Sequence, residues 1–170
     1  MTRRIILLNG PSSSGKSTLA RKLQAVIGSR RDQPYALVSI DDLLPMSPTE
    51  PIHEDDVFEI NAALCARVWE ALKTAPGVIV DHVITSERIF RQTQSLLGAY
   101  PLTLIRVICP LPLLRQREAA RQDRCPGSAE ASEKYLFPKE GYDLTVDTSR
   151  KTPAENALAI YEALCPAKKI

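Results

Sequence analysis

The most informative segment of the chain reads Gly10-Pro11-Ser12-Ser13-Ser14-Gly15-Lys16-Ser17, with Thr18 directly after it. It matches the Walker A pattern G-x-x-x-x-G-K-[ST] at every fixed position. A Gly/Ser turn can match this pattern by chance, but here an apolar run (Ile5 to Leu8) precedes it and an amphipathic stretch follows it. A phosphate-binding loop requires a strand and a helix in those two places. The segment therefore predicts a nucleoside triphosphate site.

The residue types of this loop suit phosphate chemistry. Successive backbone N–H groups must turn inward around phosphate oxygens, and glycine permits the dihedral angles that this turn needs. The following helix directs its N-terminal N–H groups and the positive end of its dipole at the same anion. We expect Lys16 to contact the β- and γ-phosphates and the Ser17 hydroxyl to bind Mg²⁺, with Thr18 as a neighbour that assists.

Composition and charge narrow the function classes. The 170 residues are 44% hydrophobic and 25% charged, which predicts one globular domain over residues 1–170. The formal net charge of +2 gives no basic field that would attract nucleic acid or a membrane surface. The four cysteines lie far apart and are interpreted as reduced thiols of a cytoplasmic protein. We expect no nucleic-acid or membrane partner, and the sequence leaves the oligomeric state open.

Short apolar runs alternate with longer amphipathic stretches, which is typical of an α/β protein whose parallel sheet is covered by helices. The predicted strands are Arg4–Asn9, Tyr35–Ile40, Val78–Val83, Leu102–Cys109 and Tyr142–Asp147. Helices are predicted from Lys16 to Gly28, from Asp55 to Lys73, and after Thr152-Pro153-Ala154-Glu155, which has the pattern of a capping box.

Two aspartates lie at the ends of predicted strands, where open α/β sheets bind their ligands. Asp41 follows the second strand, and Asp81 follows the apolar run of the third. Asp41 is our candidate for the base that orients an acceptor hydroxyl and takes its proton, and Asp81 is our candidate for the acid that holds Mg²⁺. Capping of a following helix is the alternative role for Asp41 and Asp42. The sequence leaves open whether the two catalytic roles are exchanged.

An arginine-rich segment follows the fourth predicted strand and contains Arg115, Arg117, Arg121 and Arg124. The last three have the spacing i, i+4, i+7, so we expect them to share one face of a helix. Guanidinium groups suit the charge that builds on phosphate oxygens, and a mobile lid that carries them would exclude water. We therefore predict a lid at about residues 111–134. The alternative is a solvated face with local pairing, such as that of Arg121 with Glu118 or with the nearby Asp123.

Taken together, these features make the whole chain resemble the chloramphenicol phosphotransferase family, over most of residues 4 to 165. The stretches that carry the resemblance are Ile6-Leu7-Leu8-Asn9-Gly10, Ile40-Asp41, Val80-Asp81-His82-Val83, Arg117-Glu118-Ala119-Ala120-Arg121-Gln122-Asp123-Arg124, Glu140-Gly141-Tyr142-Asp143 and Val146-Asp147-Thr148-Ser149. The resemblance implies a P-loop fold similar to that of nucleotide and shikimate kinases, with a five-stranded parallel sheet in the order 2-3-1-4-5. It also implies ATP with Mg²⁺ and a small-molecule hydroxyl as acceptor.

The resemblance further implies roles for individual residues. The family's base falls on Asp41, and the lysine and serine of its P-loop fall on Lys16 and Ser17. The lid arginines of the family match Arg117, Arg121 and Arg124. The loop after the last strand, with Thr148, Ser149 and Arg150, is expected to lie near the adenine.

The acceptor itself is left open. The acceptor-binding segment, expected at about residues 42–69, is shorter than in the antibiotic-modifying member of the family, and His82 stands where that member carries a second aspartate. We interpret His82 as structural. The leading hypothesis is an ATP-dependent O-phosphotransferase that acts on a small alcohol, for example an antibiotic. A kinase of a nucleoside, nucleotide, sugar or cofactor precursor is the alternative. A GTPase switch or another regulator that binds a nucleotide is disfavoured, because the chain has no Asn-Lys-x-Asp guanine motif.

Overall fold

The structure, a computed structural model, describes residues 3–165 and contains one sheet of five parallel strands. The strands are β1 (Arg4–Asn9), β2 (Ala36–Ser39), β3 (Gly77–His82), β4 (Leu102–Ile108) and β5 (Leu144–Asp147). Their order is β2-β3-β1-β4-β5, which confirms the predicted topology. The second strand is shorter than predicted, because Ile40 already belongs to a 3₁₀ turn, Ile40–Asp42.

The described residues form six α-helices. They are α1 (Lys16–Arg30), α2 (Glu54–Thr74), α3 (Glu87–Leu97), α4 (Leu111–Ala119), α5 (Ser128–Tyr135) and α6 (Pro153–Leu164). The predicted capping box at the start of α6 is confirmed, since Thr152 Oγ1 accepts from Glu155 N. α1 continues past Gly28 to Arg30, so the prediction that it ends at Gly28 is wrong. α3 and α5 have no counterpart among the predicted helices.

The central strand shows why both faces must be covered. β1 pairs with β3 on one side and with β4 on the other. Ile5 and Leu7 pack with residues of α2 and α3, whereas Ile6 and Leu8 pack with residues of α1 and α6. All four side chains are buried, which explains a continuous apolar run instead of the alternation of a half-exposed strand. The predicted helices on both faces of the sheet are confirmed.

The fold brings the carboxyl ends of the strands to one edge of the sheet. β1 ends at Asn9, which lies beside His82 of β3 and Arg106 of β4. The loop that follows each strand therefore starts at this edge. All four cysteines are free thiols, as predicted. None of the helices in residues 3–165 has both the length and the apolar character that a bilayer crossing needs.

Candidate active site

Two glycines allow the loop between β1 and α1 to take its path. A Cβ atom at Gly10 would lie 2.4 Å from the backbone oxygen of Val107, so β4 is too close for any side chain at this position. Gly15 is the N-cap of α1 and has a φ of 89°, in the left-handed region that glycine enters without strain. The loop therefore curls tightly over the end of the sheet before the helix begins.

Lys16 lies inside this loop. Its side chain is buried, and its Nζ donates a hydrogen bond to the backbone oxygen of Pro11 at 2.8 Å. Burial lowers the pKa of Lys16, and the negative charges of Asp81 and Asp41 oppose that shift. The ammonium group is thus held between the loop and two carboxylates, which is where a cation for terminal phosphates is needed.

Two serines of the loop carry hydroxyl groups with unused hydrogen-bonding capacity. The Oγ atoms of Ser13 and Ser14 are buried and have no hydrogen-bond partner. Ser13 also has a φ of 63°, a conformation that non-glycine residues rarely adopt outside functional turns. Buried polar groups are normally paired, so unpaired donors in a strained loop fit a ligand with anionic oxygens.

A hydroxyl and a carboxylate lie together at the start of α1. Ser17 Oγ donates to Asp81 Oδ2 at 2.6 Å, and Ser39 Oγ donates to the same oxygen at 3.3 Å. Asp81 is only 3% exposed. Residues 3–165 hold no cluster of three or more His, Cys, Asp or Glu that would bind a metal by itself. Mg²⁺ at phosphate sites uses one or two carboxylates together with phosphate oxygens, so Ser17 and Asp81 fit it without such a cluster.

Asp41 lies in the 3₁₀ turn that follows β2. Its backbone N–H donates to Ser39 Oγ, so Ser39 caps this turn and the Asp41 carboxylate does not. The carboxylate instead accepts a hydrogen bond from Arg124 Nη2 at 2.5 Å and is 34% exposed, while the Arg124 side chain is 7% exposed. The alternative role of Asp41 as a helix cap is not what the structure shows.

The predicted helix face of arginines is wrong. α4 ends at Ala119, so of the three arginines only Arg117 lies on the helix, and Arg121 and Arg124 belong to the loop before α5. Arg121 pairs with Asp123 at 3.0 Å, and Arg124 reaches Asp41. The segment predicted to be a lid is thus two short helices with a loop between them, and this loop places Arg124 beside Asp41.

Arg117 points away from the acid, toward the outer side of the phosphate-binding loop. Its Nη1 donates to Ser14 O at 3.2 Å and to Thr148 Oγ1 at 3.1 Å, and its Nη2 donates to Thr148 O. Thr148 Oγ1 in turn donates to Ser14 O at 2.6 Å. Ser149 and Arg150 both contact Asp147. Arg117 and Thr148 therefore support the loop from outside in this structure.

One large cavity, of about 670 Å³, lies over the phosphate-binding loop. Its lining includes Lys16, Ser17, Asp41, Asp81, Arg121 and Arg124, together with most of the segment 44–57 and one side of α5 from Ser128 to Tyr135. Arg117, Thr148, Ser149 and Arg150 do not line it. Of the predicted acceptor segment 42–69, no residue after Val57 reaches the cavity, because the rest of α2 continues along the sheet.

The sequence reasoning missed two residues that hold this site together. Asn9 Oδ1 accepts from Ile84 N, and Asn9 Nδ2 donates to Tyr142 Oη, so the end of β1 is tied to two distant loops. The sequence signal for Asn9 was its position as a polar residue at the end of an otherwise apolar strand. Ser132 Oγ accepts from Ser12 N at 2.9 Å and joins α5 to the loop. No local signal marks Ser132, since its partner is 120 positions away.

His82 is structural in this fold. It is fully buried, its Nδ1 accepts from Val83 N, and its Nε2 therefore carries the proton that Asn61 Oδ1 accepts at 2.9 Å. Burial and then the charge of Lys16 lower the pKa of His82 to about 3. A neutral imidazole thus links β3 to α2.

The chain matches the model of the family described as chloramphenicol phosphotransferase-like protein over residues 3–165. No curated protein gives a significant match.

Several solved kinases share the fold at low sequence identity. A sugar kinase from Janibacter sp. HTCC2649 is 17% identical with a TM-score of 0.68, over 98% of this chain and 96% of that one. The APS kinase of Mycobacterium tuberculosis, in complex with AMPPNP and APS, is 12% identical with a TM-score of 0.73, over 96% and 98%. The shikimate kinase of Acinetobacter baumannii, in complex with shikimate, is 16% identical with a TM-score of 0.64, over 100% and 97%. The fold is that of small P-loop kinases.

Proposed function

This chain belongs to the chloramphenicol phosphotransferase-like family, and on that premise we propose that it transfers the γ-phosphoryl group of ATP to a hydroxyl of a small molecule. One observation supports this function most strongly. The loop lysine Lys16, the candidate base Asp41 and the candidate metal acid Asp81 line the same cavity. Phosphoryl transfer needs these groups around one reacting phosphorus, because catalysis depends on positioning and on stabilisation of charge.

The residues of the cavity have complementary tasks in such a transfer. The amides of the phosphate-binding loop and Lys16 hold the terminal phosphates. Ser17 and Asp81 would hold Mg²⁺, which neutralises charge on the phosphates when it is bound. Asp41 orients the acceptor hydroxyl and takes its proton. Arg124 and Arg121 come from the lid and donate hydrogen bonds to the transferred group.

The acceptor side of the cavity favours an uncharged alcohol. No lysine or arginine occurs from Leu44 to Val57, the segment that supplies this wall. Glu50 and Glu54 line it together with the apolar side chains of Leu44, Met46, Ile52 and Val57. Arg121 and Arg124, the lid cations of the cavity, are the groups assigned above to the transferred phosphoryl group. An acceptor with a carboxylate or phosphate would find no lysine or arginine to pair with on this wall, and an unpaired buried charge is costly.

The test is incubation of the protein with Mg·ATP and a library of small alcohols, with mass spectrometry for the addition of one phosphate. The library contains chloramphenicol, nucleosides, sugars and cofactor precursors, each in neutral and anionic forms where both exist. We expect transfer to a neutral alcohol, and we expect Lys16→Ala to abolish it and to weaken triphosphate binding. Lys22→Ala, at an exposed position of α1, is the matched control. Nucleotide binding without transfer to any acceptor would instead support a regulator.

A further inference from the structure

Glu118 carries a buried carboxylate that the transfer described above does not use. It is the penultimate residue of α4 and is 9% exposed. Its Oε2 accepts a hydrogen bond from Gly127 N at 2.9 Å, and its Oε1 accepts one from Ala129 N at 2.7 Å. Both oxygens are therefore used by backbone N–H groups of the neighbouring helix, and the local pair with Arg121 that the sequence left open does not form.

These two hydrogen bonds replace a cap that α5 lacks. Gly127 is the N-cap residue of α5 and has no side chain with which to accept from the first turn. A helix N-terminus has unpaired N–H groups and a partial positive charge, and an ionised carboxylate suits both. The carboxylate of Glu118 supplies this cap from another helix, so it fixes the position of α5 relative to α4.

The same residue binds both ends of the loop that carries the lid arginines. At the start of the loop, Arg121 N donates to the backbone oxygen of Glu118 at 2.9 Å. At its end, the Glu118 side chain holds Gly127 and Ala129. Arg124 lies between these two attachments and reaches Asp41 from there. The path of the loop, and with it the position of the Arg124 guanidinium group, depends on Glu118.

The two helices joined by Glu118 also contact the phosphate-binding loop. Arg117, the residue before Glu118, donates to Ser14 O from α4. On α5, Ser132 Oγ accepts from Ser12 N. Both lid helices, α4 and α5, therefore contact the phosphate-binding loop, and Glu118 joins the two helices to each other.

We propose that Glu118 is a positioning residue that holds the lid loop so that Arg124 reaches the transferred phosphoryl group; this inference rests on the proposed phosphotransfer. Glu118→Gln keeps the shape of the side chain, but its NH₂ group would face a backbone N–H donor, so one of the two hydrogen bonds is lost. We expect kcat to fall about ten- to hundredfold, because a small misplacement of a charged group costs that much in transfer. The KM for ATP should change little. Glu133→Gln, an exposed carboxylate on α5, is the matched control and should behave like the wild type.

A second comparison separates positioning from general stability. If Glu118 acts through Arg124, Glu118→Gln should have little further effect on kcat in an Arg124→Ala background, because the two changes are coupled. The same loss of kcat in both backgrounds, or an unchanged kcat in the single variant, would overturn the proposal.

Amide hydrogen exchange, read by mass spectrometry, tests the inference without an acceptor. Glu118→Gln should speed exchange in residues 120–129 and leave the sheet protected, whereas Glu133→Gln should do neither. Faster exchange throughout the chain, or a Glu118→Gln protein that does not fold, would overturn the proposal, since the carboxylate would then stabilise the whole domain. If the wild type transfers no phosphoryl group, the proposed function fails, and the exchange result still decides whether Glu118 holds the lid.

Discussion

Arg124 donates from Nη2 to Asp41 Oδ2 at 2.5 Å, although the two residues lie 83 positions apart in the chain. One belongs to the lid loop and the other to the turn after β2. Their contact puts a permanent cation next to the carboxylate that we assign as the base. Asp41 and the transferred phosphoryl group are both anionic partners for this guanidinium, so Arg124 links the position of the lid to the reacting groups.

Replacement of Arg124 tests this link. Arg124→Ala should lower kcat about 10²- to 10³-fold, the usual cost of losing one donor to a transition-state oxyanion, with a smaller change in the KM for ATP. Steady-state kinetics with the identified acceptor gives both values. Arg115→Ala is the matched control, because Arg115 pairs with Glu130 on the exposed side of the lid. A wild-type kcat in Arg124→Ala would remove this arginine from the mechanism.

The second prediction concerns the base. Asp41→Asn should lower kcat about 10²- to 10⁴-fold, because the amide cannot take the proton of the acceptor hydroxyl. Affinity for a non-hydrolysable ATP analogue, measured by calorimetry, should be retained or increased, since Arg124 loses its carboxylate partner. Asp42→Asn, the exposed neighbouring aspartate, should have wild-type kinetics. Should Asp41→Asn keep full activity, the base lies elsewhere and Asp81 is the next candidate.

Asp81 is expected to control the requirement for Mg²⁺. Asp81→Asn should raise the concentration of Mg²⁺ needed for half-maximal transfer by about ten- to hundredfold, the usual effect of a lost metal partner. Electron paramagnetic resonance of Mn²⁺ with ADP and the protein reports the same loss without turnover. Asp42→Asn is again the control. An unchanged metal requirement in Asp81→Asn would leave the 2.6 Å contact between Ser17 and Asp81 as a purely structural one.

His82 predicts a specific dependence of stability on pH. Its pKa is about 3 in the folded protein and about 6.5 in an unfolded chain. Between these values the unfolded chain binds the proton and the folded protein does not, so the free energy of unfolding falls as the pH falls. The loss from this group is about 2 kcal/mol between pH 7 and pH 5.

Urea denaturation at a series of pH values measures this slope. His82→Gln keeps a donor toward Asn61 and should remove the contribution of His82 to the slope. His53→Asn, at the exposed N-cap of α2, should leave it in place. Equal slopes in the wild type and His82→Gln would show that the imidazole is already accessible to protons in the folded state.

The core of the site could be predicted from sequence because it is contiguous. The strand before Gly10, the loop and the helix after Gly15 follow one another directly, and each has a local cause: an apolar run, glycines at positions without room for Cβ or with positive φ, and an amphipathic stretch. Asp41 and Asp81 could also be predicted as site residues from sequence, because residues at the carboxyl ends of parallel strands meet at one edge of the sheet.

The structure of the lid could not be predicted in the same way. The spacing of its arginines suggested a helix face, but α4 stops at Ala119, and the partners of Glu118 are N–H groups of the next helix. Local spacing thus determined the phosphate-binding loop and the strands of the sheet. Only the tertiary structure decided which arginine contacts Asp41, because that contact depends on how α4 and α5 pack and on the path of the loop between them.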